Sequence, residues 1–321
     1  MSPRPVVLAA LTALAAIAGR PGAAAAGTMC DAVHGLLPYA VVAGKAVTTR
    51  AGQSAYGGYK QGVEIHGDVC TTKATLQLAD VYSLNEPTAD VVALAAVGSA
   101  VRLAKSPPQT FGQLAISGDL VTGGGRVVNL APDIVFGTVD TSGLNPKLSP
   151  CRDALVALHT ASNTLAALPA TQTLGTVLVK ADQTYTIDAR GGAVVQIDAL
   201  TLTGRRRDSY GSCSEIGATL VVQGNPGDEI VLNVGRAAID DCTEIDADQP
   251  FVLNVPGRGP RVRIGAAGAM GGGAPAILAP DRTLFVQGTL DDTVTQIAPL
   301  WVKNATILGL TFVELAPGLC P

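Results

Sequence analysis

Large rings and charged groups are scarce in this chain. Of 321 residues only 4% are aromatic and 15% are charged, where an ordinary soluble domain carries about 25% charge. A core must therefore be built from Ala, Val, Leu and Ile, and a sugar-stacking platform has little material with one Trp, six Tyr and five Phe. Cations do not dominate: 22 basic against 26 acidic residues give a net charge of -4. That balance argues against nucleic acid and against a basic membrane patch, because phosphate surfaces need clustered Lys and Arg. With only three His (His34, His66, His159), no Cys-x-x-Cys and no His-Glu-x-x-His, the usual zinc signatures are missing. The nucleophile elbow Gly-x-Ser-x-Gly is missing too, since Gly52-Gln53-Ser54-Ala55-Tyr56 lacks the final Gly. The Gly123–Gly125 and Gly271–Gly273 runs read as tight corners, not phosphate cradles.

What is present is aliphatic and rich in turns: 47% hydrophobic residues, 37 Gly, 20 Pro and 6 Cys. The start reads as an export leader over residues 1–26. Arg4 is its charge, Val6 to Gly19 its apolar run, and Ala23–Gly27 offers small-residue cleavage registers. That run is too short for a bilayer, which takes about 20 apolar residues. The final residues show no apolar segment, so no membrane span is expected once the leader is removed. Cys30, Cys70, Cys151, Cys213, Cys242 and Cys320 follow the leader. An even count in an exported chain suggests disulfides. The echo of Ser212-Cys213-Ser214-Glu215-Ile216 in Asp241-Cys242-Thr243-Glu244-Ile245 favours Cys213 with Cys242 on neighbouring turns of a repeat. A secreted, periplasmic or cell-surface protein is expected.

Short β-type runs are punctuated by Gly, Asn, Asp or Pro: Val63–His66 before Gly67-Asp68, Leu114–Ser117 before Gly118-Asp119, Glu229–Val234 before Gly235, and Phe251–Val255 before Pro256-Gly257. Many alternate apolar with polar residues, as half-buried strands do. His66-Gly67-Asp68-Val69 echoes Ser117-Gly118-Asp119-Leu120, and Leu130-Ala131-Pro132-Asp133 echoes Leu278-Ala279-Pro280-Asp281. The repeats are irregular, so the expected fold is all-β: a right-handed parallel β-helix whose uneven turns bury their apolar faces by stacking. One segment departs from this. Ser149 as cap, Pro150 at the first position and Leu155, Leu158, Ala161, Leu165 and Leu168 at helical spacing predict a helix over 150–168. Its apolar stripe is expected on the side of the solenoid; a linker between two β bodies is the alternative. Residues 27–321 are expected to form one β-helix domain including this helix, with the Cys30 region and the segment after Trp301 covering its open ends.

These residues carry a resemblance. Tyr39-Ala40-Val41-Val42-Ala43-Gly44, the Gly-Asp strands at 67–68 and 118–119, the helix and Pro275–Pro280 leading into Phe285-Val286-Gln287-Gly288 resemble the choice-of-anchor A family, secreted bacterial proteins related to a collagen-binding adhesin domain. The layout is also similar to ice-binding-like proteins. Both resemblances imply a right-handed β-helix with a long helix alongside. The chain departs from the first family in its Gly- and Ala-rich stretch Gly265–Gly273, in its six cysteines and in showing no C-terminal anchor.

Three roles are weighed. The first is non-catalytic surface binding, adhesin-like, in an envelope or extracellular matrix, with a matrix protein or glycan as partner. The second is ice binding, for which Thr171–Thr173, Thr184–Thr186, Thr201–Thr203 and Thr293–Thr295 could order water if one pair stood on each rung. The third is a polysaccharide hydrolase or lyase, with Asp188 and Asp198, or Asp291 and Asp292, as carboxylate pairs. No catalytic residue and no cofactor is assigned. The acidic stretch Asp240, Asp241, Glu244, Asp246 and Asp248 is the one candidate metal site, for Ca²⁺ with hard oxygen ligands; a solvated loop stapled by Cys242 is its simpler reading. Arg205-Arg206-Arg207 reads as an exposed corner.

Overall fold

A computed structural model describes residues 26–320, apart from 51, 54–59, 62, 78, 83–88, 105–114, 131–133, 206–216, 241, 265–274, 288–294, 298, 309–310 and 317. The expected leader and Cys213 thus lie outside the described residues, except for the leader's last residue, Ala26. Strands dominate, and nearly every ladder is parallel; one short pair, Gly52–Gln53 with Lys60–Gln61, is antiparallel. The β-solenoid reading holds.

The stack is not in chain order. From one end, its main path runs Val139–Asp140, Leu120–Thr122, Val91–Ala93, Asp68–Gln77 and Tyr39–Arg50. It continues through Leu300–Leu308, Pro275–Gln287, Phe251–Asn254, Ile230–Ile239, Ala193–Leu202 and Gln172–Val179. The chain starts in the middle, builds toward one end, is carried to the far end by a helix, and builds back. Its last long strand then pairs with its first, with Val42 beside Trp301 and Thr48 beside Thr306.

The carrier is α2, Leu148–Ala166, following α1 at Ala26–Val33. Nineteen residues at about 1.5 Å each give roughly 28 Å, and strands stack at about 4.8 Å. The helix therefore reaches across about six strands. The contacts agree: Cys151 meets the Asp68–Gln77 strand through its bond to Cys70, while the carbonyl of Leu165 accepts a hydrogen bond from Asn233 at 2.8 Å. The helix begins before the expected cap. Lys147 is the N-cap residue without a side-chain bond, and Ser149 lies inside the first turn. The start is instead fixed by Asn145, whose Oδ1 accepts the Lys147 N–H at 2.9 Å. Leu158, Ala161 and Leu165 are buried as expected, joined by Leu148, Cys151, Ala154 and Ser162.

Each long strand turns a corner and serves two sides of the solenoid. The inward phase slips by one there: in Ala193–Leu202, Ile197 and Leu200 are buried while Asp198 and Ala199 between them face out. The helix side comprises the first half of each long strand. It is buried on both surfaces, with Val41, Val69 and Leu232 pointing into the solenoid and Val42, Cys70, Val231, Leu278 and Trp301 pointing into the helices. The second halves form an open side with no helix over it. Two further sheets, ordered Thr184–Asp188, Thr219–Gln223, Glu244–Ala247 and Thr295–Ile297, Thr311–Glu314, Val63–His66, Ala79–Tyr82, Ala115–Ile116, make the third side.

The Gly-Asp echo is a structural device. Asp68 Oδ1 accepts the Asp90 N–H, Asp90 Oδ1 accepts the Asp119 N–H, and Asp119 Oδ1 accepts the Thr138 N–H, each at 2.8 Å. The aspartates thus climb one corner as a ladder. Glycine precedes Asp119 because a Cβ at Gly118 would fall 2.7 Å from the Ala89 carbonyl oxygen. Lys147 closes the ladder with Nζ at 2.6 Å from Asp90 and 2.7 Å from Asp119. Asp119 is held down to about 2, chiefly by its hydrogen bond from Lys147.

Two disulfides, Cys30–Cys320 and Cys70–Cys151, staple the termini and α2. Cys242 is disulfide-bonded as well; its expected partner lies outside the described residues. The Cys30 region does not cover an end. Met29, Val33 and Leu36 pack on the helix side together with Leu319, and Trp301 sits in the middle of the stack. The open ends are the edge strands Val139–Asp140 and Gln172–Val179.

Candidate functional site

The open side is the longer of the two sheet surfaces left uncovered among the described residues. Strand alternation puts every second residue outward, and register aligns these residues into columns. One column reads Val128, Arg102, Thr75, Thr48, Thr306, Phe285, Arg263. A second reads Lys73, Ala46, Asn304, Thr283, with the Asn304 amide donating to Thr283 Oγ1 at 3.2 Å. Three threonines on three adjacent strands thus stand in register, about 4.8 Å from one to the next. Beyond Val262–Ile264 the side continues on separate ladders, with Arg236, Ala199 and Thr176 in one row.

The Thr-x-Thr pairs of the sequence do not form this array. Thr186 faces outward on the third side beside Val221, which is followed by Asp246. Thr201 lies between Leu178 and Ala238. Thr171 is engaged at the edge, where its Oγ1 accepts the Val194 N–H at 3.1 Å. Thr293 lies outside the described residues. The threonines that align, Thr48, Thr75 and Thr306, belong to no Thr-x-Thr pair and meet only through register.

Glu244, Asp246 and Asp248 of the acidic stretch map to the third side. Glu244 and Asp246 alternate outward along one strand, and burial, then the nearby Asp246, pushes the Glu244 carboxyl up. Asp248 accepts the Gly224 N–H at 3.3 Å, Asp240 is exposed at the end of the Ile230–Ile239 strand, and Asp241 lies outside the described residues. Among the described residues no three His, Cys, Asp or Glu side chains converge as metal ligands would.

The carboxylate pair Asp188 and Asp198 is not a pair. Asp188 stands on the third side, whereas Asp198 marks the corner between the helix side and the open side. Asp188 accepts two bonds from Arg190, at 2.8 and 2.6 Å, which hold its carboxyl down at about 2 and unsuited to donating a proton near neutrality. Asp291 and Asp292 lie outside the described residues. Of the three arginines at 205–207, Arg205 pairs with Asp182 across a corner, and the other two lie outside the described residues. His159, on α2, faces Asp281 at 3.6 Å, and His66 faces Glu64 at 3.3 Å.

No helix of the described residues is long and apolar enough to cross a membrane. No family model matches the chain, and no curated protein does. Solved structures do. The chain is similar to the ice-binding protein of the Antarctic ascomycete Antarctomyces psychrotrophicus at 12% identity, covering 88% of this chain and 97% of that one, with a TM-score of 0.32. It is similar to a glycosylated ice-binding protein from an Arctic yeast at 12% identity, 88% and 92% coverage and a TM-score of 0.34. It is also similar to an ice-binding protein domain of Shewanella frigidimarina at 12% identity, 88% and 96% coverage and a TM-score of 0.27.

Proposed function

We propose that this is a non-catalytic, exported β-solenoid that works by surface contact, as an adhesin-like component of an envelope or extracellular matrix, and that the open side is its contact surface. One observation carries the reading: the open side is the longest in-register sheet with outward hydroxyl and amide groups that no element of the described residues covers. The disulfides support an oxidising compartment. The kinship to choice-of-anchor A proteins belongs to the same proposal. The test is a binding array of collagen, neutral glycans and ice, with wild type compared to Thr48→Tyr and Thr306→Tyr. Saturable binding to one of these surfaces, weakened by both substitutions and unaffected by Thr186→Tyr on the third side, is expected. Binding that ignores the open side, or turnover of a glycan, overturns the reading.

Ice is the second reading, favoured by the Thr75–Thr48–Thr306 column, in which hydroxyls and methyls repeat at the strand spacing. It predicts thermal hysteresis or inhibited ice recrystallisation, lost on Thr48→Tyr.

A further inference from the structure

Charge on the continuous ladder of the open side, from Arg126–Val128 to Val262–Ile264, is of one sign among the described residues. Its outward positions hold Arg50, Lys73, Arg102, Arg126, Arg261 and Arg263, all exposed, and Arg236 continues the set past the interruption of the ladder. From the Ala100–Ala104 and Arg126–Val128 strands to the Val262–Ile264 strand no described outward position holds a carboxylate, although acids outnumber bases in the chain as a whole; past the interruption Asp240 stands exposed two places beyond Ala238. None of the seven belongs to an ion pair of the described residues. The third side is the reverse, with Asp188, Glu244, Asp246 and Asp248 outward.

Like charges fixed on one rigid surface repel one another, and a polyanion laid across them would remove that repulsion and release its own counterions. Arg102 and Arg263 stand at the two ends of a five-step run of one column, roughly 24 Å apart at the strand spacing. Between them lie Thr75, Thr48 and Thr306, with Asn304 alongside. The surface thus offers cations at the margins and hydroxyl and amide partners in the centre, which suits a chain bearing both acidic and hydroxyl groups. Among the described residues this side offers no open stacking platform for bases. The outward ring here, Phe285, has the Arg261 and Arg263 guanidinium groups 5.8 and 6.0 Å from its centroid, and single-stranded nucleic acids bind by stacking on open rings.

We infer that the open side binds an acidic polysaccharide, with Arg50, Lys73, Arg102 and Arg263 meeting its acid groups and Thr48, Thr75 and Thr306 its hydroxyls. This rests on the open side being the contact surface and names its ligand class.

The test titrates the full protein with alginate, dextran sulfate, neutral dextran, duplex DNA and anionic phosphatidylglycerol vesicles, at about 50 and about 200 mM NaCl. Alginate against dextran sulfate separates carboxylate from sulfate recognition. Binding to at least one acidic glycan and not to dextran is expected, weakening about tenfold or more over that salt range. The double variant Arg102→Gln/Arg263→Gln should lose about tenfold in affinity, in keeping with two lost anion contacts, with an unchanged circular dichroism spectrum. Arg152→Gln/Arg190→Gln, which removes two exposed cations elsewhere, should bind as wild type. The inference is overturned if neither acidic glycan binds, if the control variant loses as much, or if DNA or vesicles bind more tightly. If acidic glycans fail while Thr306→Tyr abolishes binding to collagen, a neutral glycan or ice, only the ligand class falls. If no open-side substitution alters binding to any surface, the contact surface falls with it.

Discussion

The helix side and the open side are built from the same strands, yet they obey different rules. On the helix side both surfaces of the sheet are buried, so its runs are continuous in apolar residues, as in Phe251, Val252 and Leu253 or Ala40 to Ala43. The open side alternates strictly, with Val47, Thr49 and Ile307 inward and Thr48, Arg50 and Thr306 outward. One strand therefore carries two codes separated by a corner. Burial, and with it stability, resides in the first; the second is the contact surface proposed above.

Substitution should separate the two halves. The largest effect is expected at Trp301, fully buried under the helices with Nε1 donating to the Tyr39 carbonyl at 3.2 Å. Trp301→Ala should cost about 3–5 kcal/mol in chemical denaturation, whereas Thr306→Ala, on the same strand past the corner, should stay within about 0.5 kcal/mol. Equal losses would end the division. Next comes the staple between α2 and the Asp68–Gln77 strand. Replacing Cys70 and Cys151 together by Ala should lower stability by about 2–4 kcal/mol, and the open side's ligand affinity should survive in the folded fraction.

The smallest effect concerns the aspartate ladder and sets a pH dependence. Asp119 sits near 2 in the folded chain, below its ordinary 3.8. A depressed carboxyl stabilises the fold above its unfolded pKa, and the contribution fades as pH falls through the folded value. Stability should therefore decline between about pH 4 and about pH 2. Lys147→Met should flatten that decline and cost about 1 kcal/mol at neutral pH, because Lys147 is partly exposed. Melting temperatures across that range, for wild type and variant, decide the point.

The same division explains what could be read in the sequence. Alternation, Gly-punctuated runs and the Leu155–Leu165 spacing marked a parallel solenoid with a helix on its side, because those signals are local. The Gly67-Asp68 and Gly118-Asp119 echo marked a shared corner for the same reason. The threonine column was hidden because Thr48 meets Thr306 only when the two ends of the chain pair. The cationic side was hidden by arithmetic: the net charge sums acids on the third side with bases on the open side and conceals their segregation. The start of the helix is not legible locally, because Ser149 looks like a cap while the observed turn is held from Asn145.

The pairing of Tyr39–Arg50 with Leu300–Leu308 has a consequence for biogenesis. During synthesis the first long strand emerges early, but the neighbour that covers one of its edges arrives almost last. Until then a row of unpaired amides and carbonyls stands open to any other nascent chain, and such long-range closure slows folding. An edge left open for so long invites wrong pairing, and removal of the Leu300–Leu308 strand should turn the chain toward aggregation.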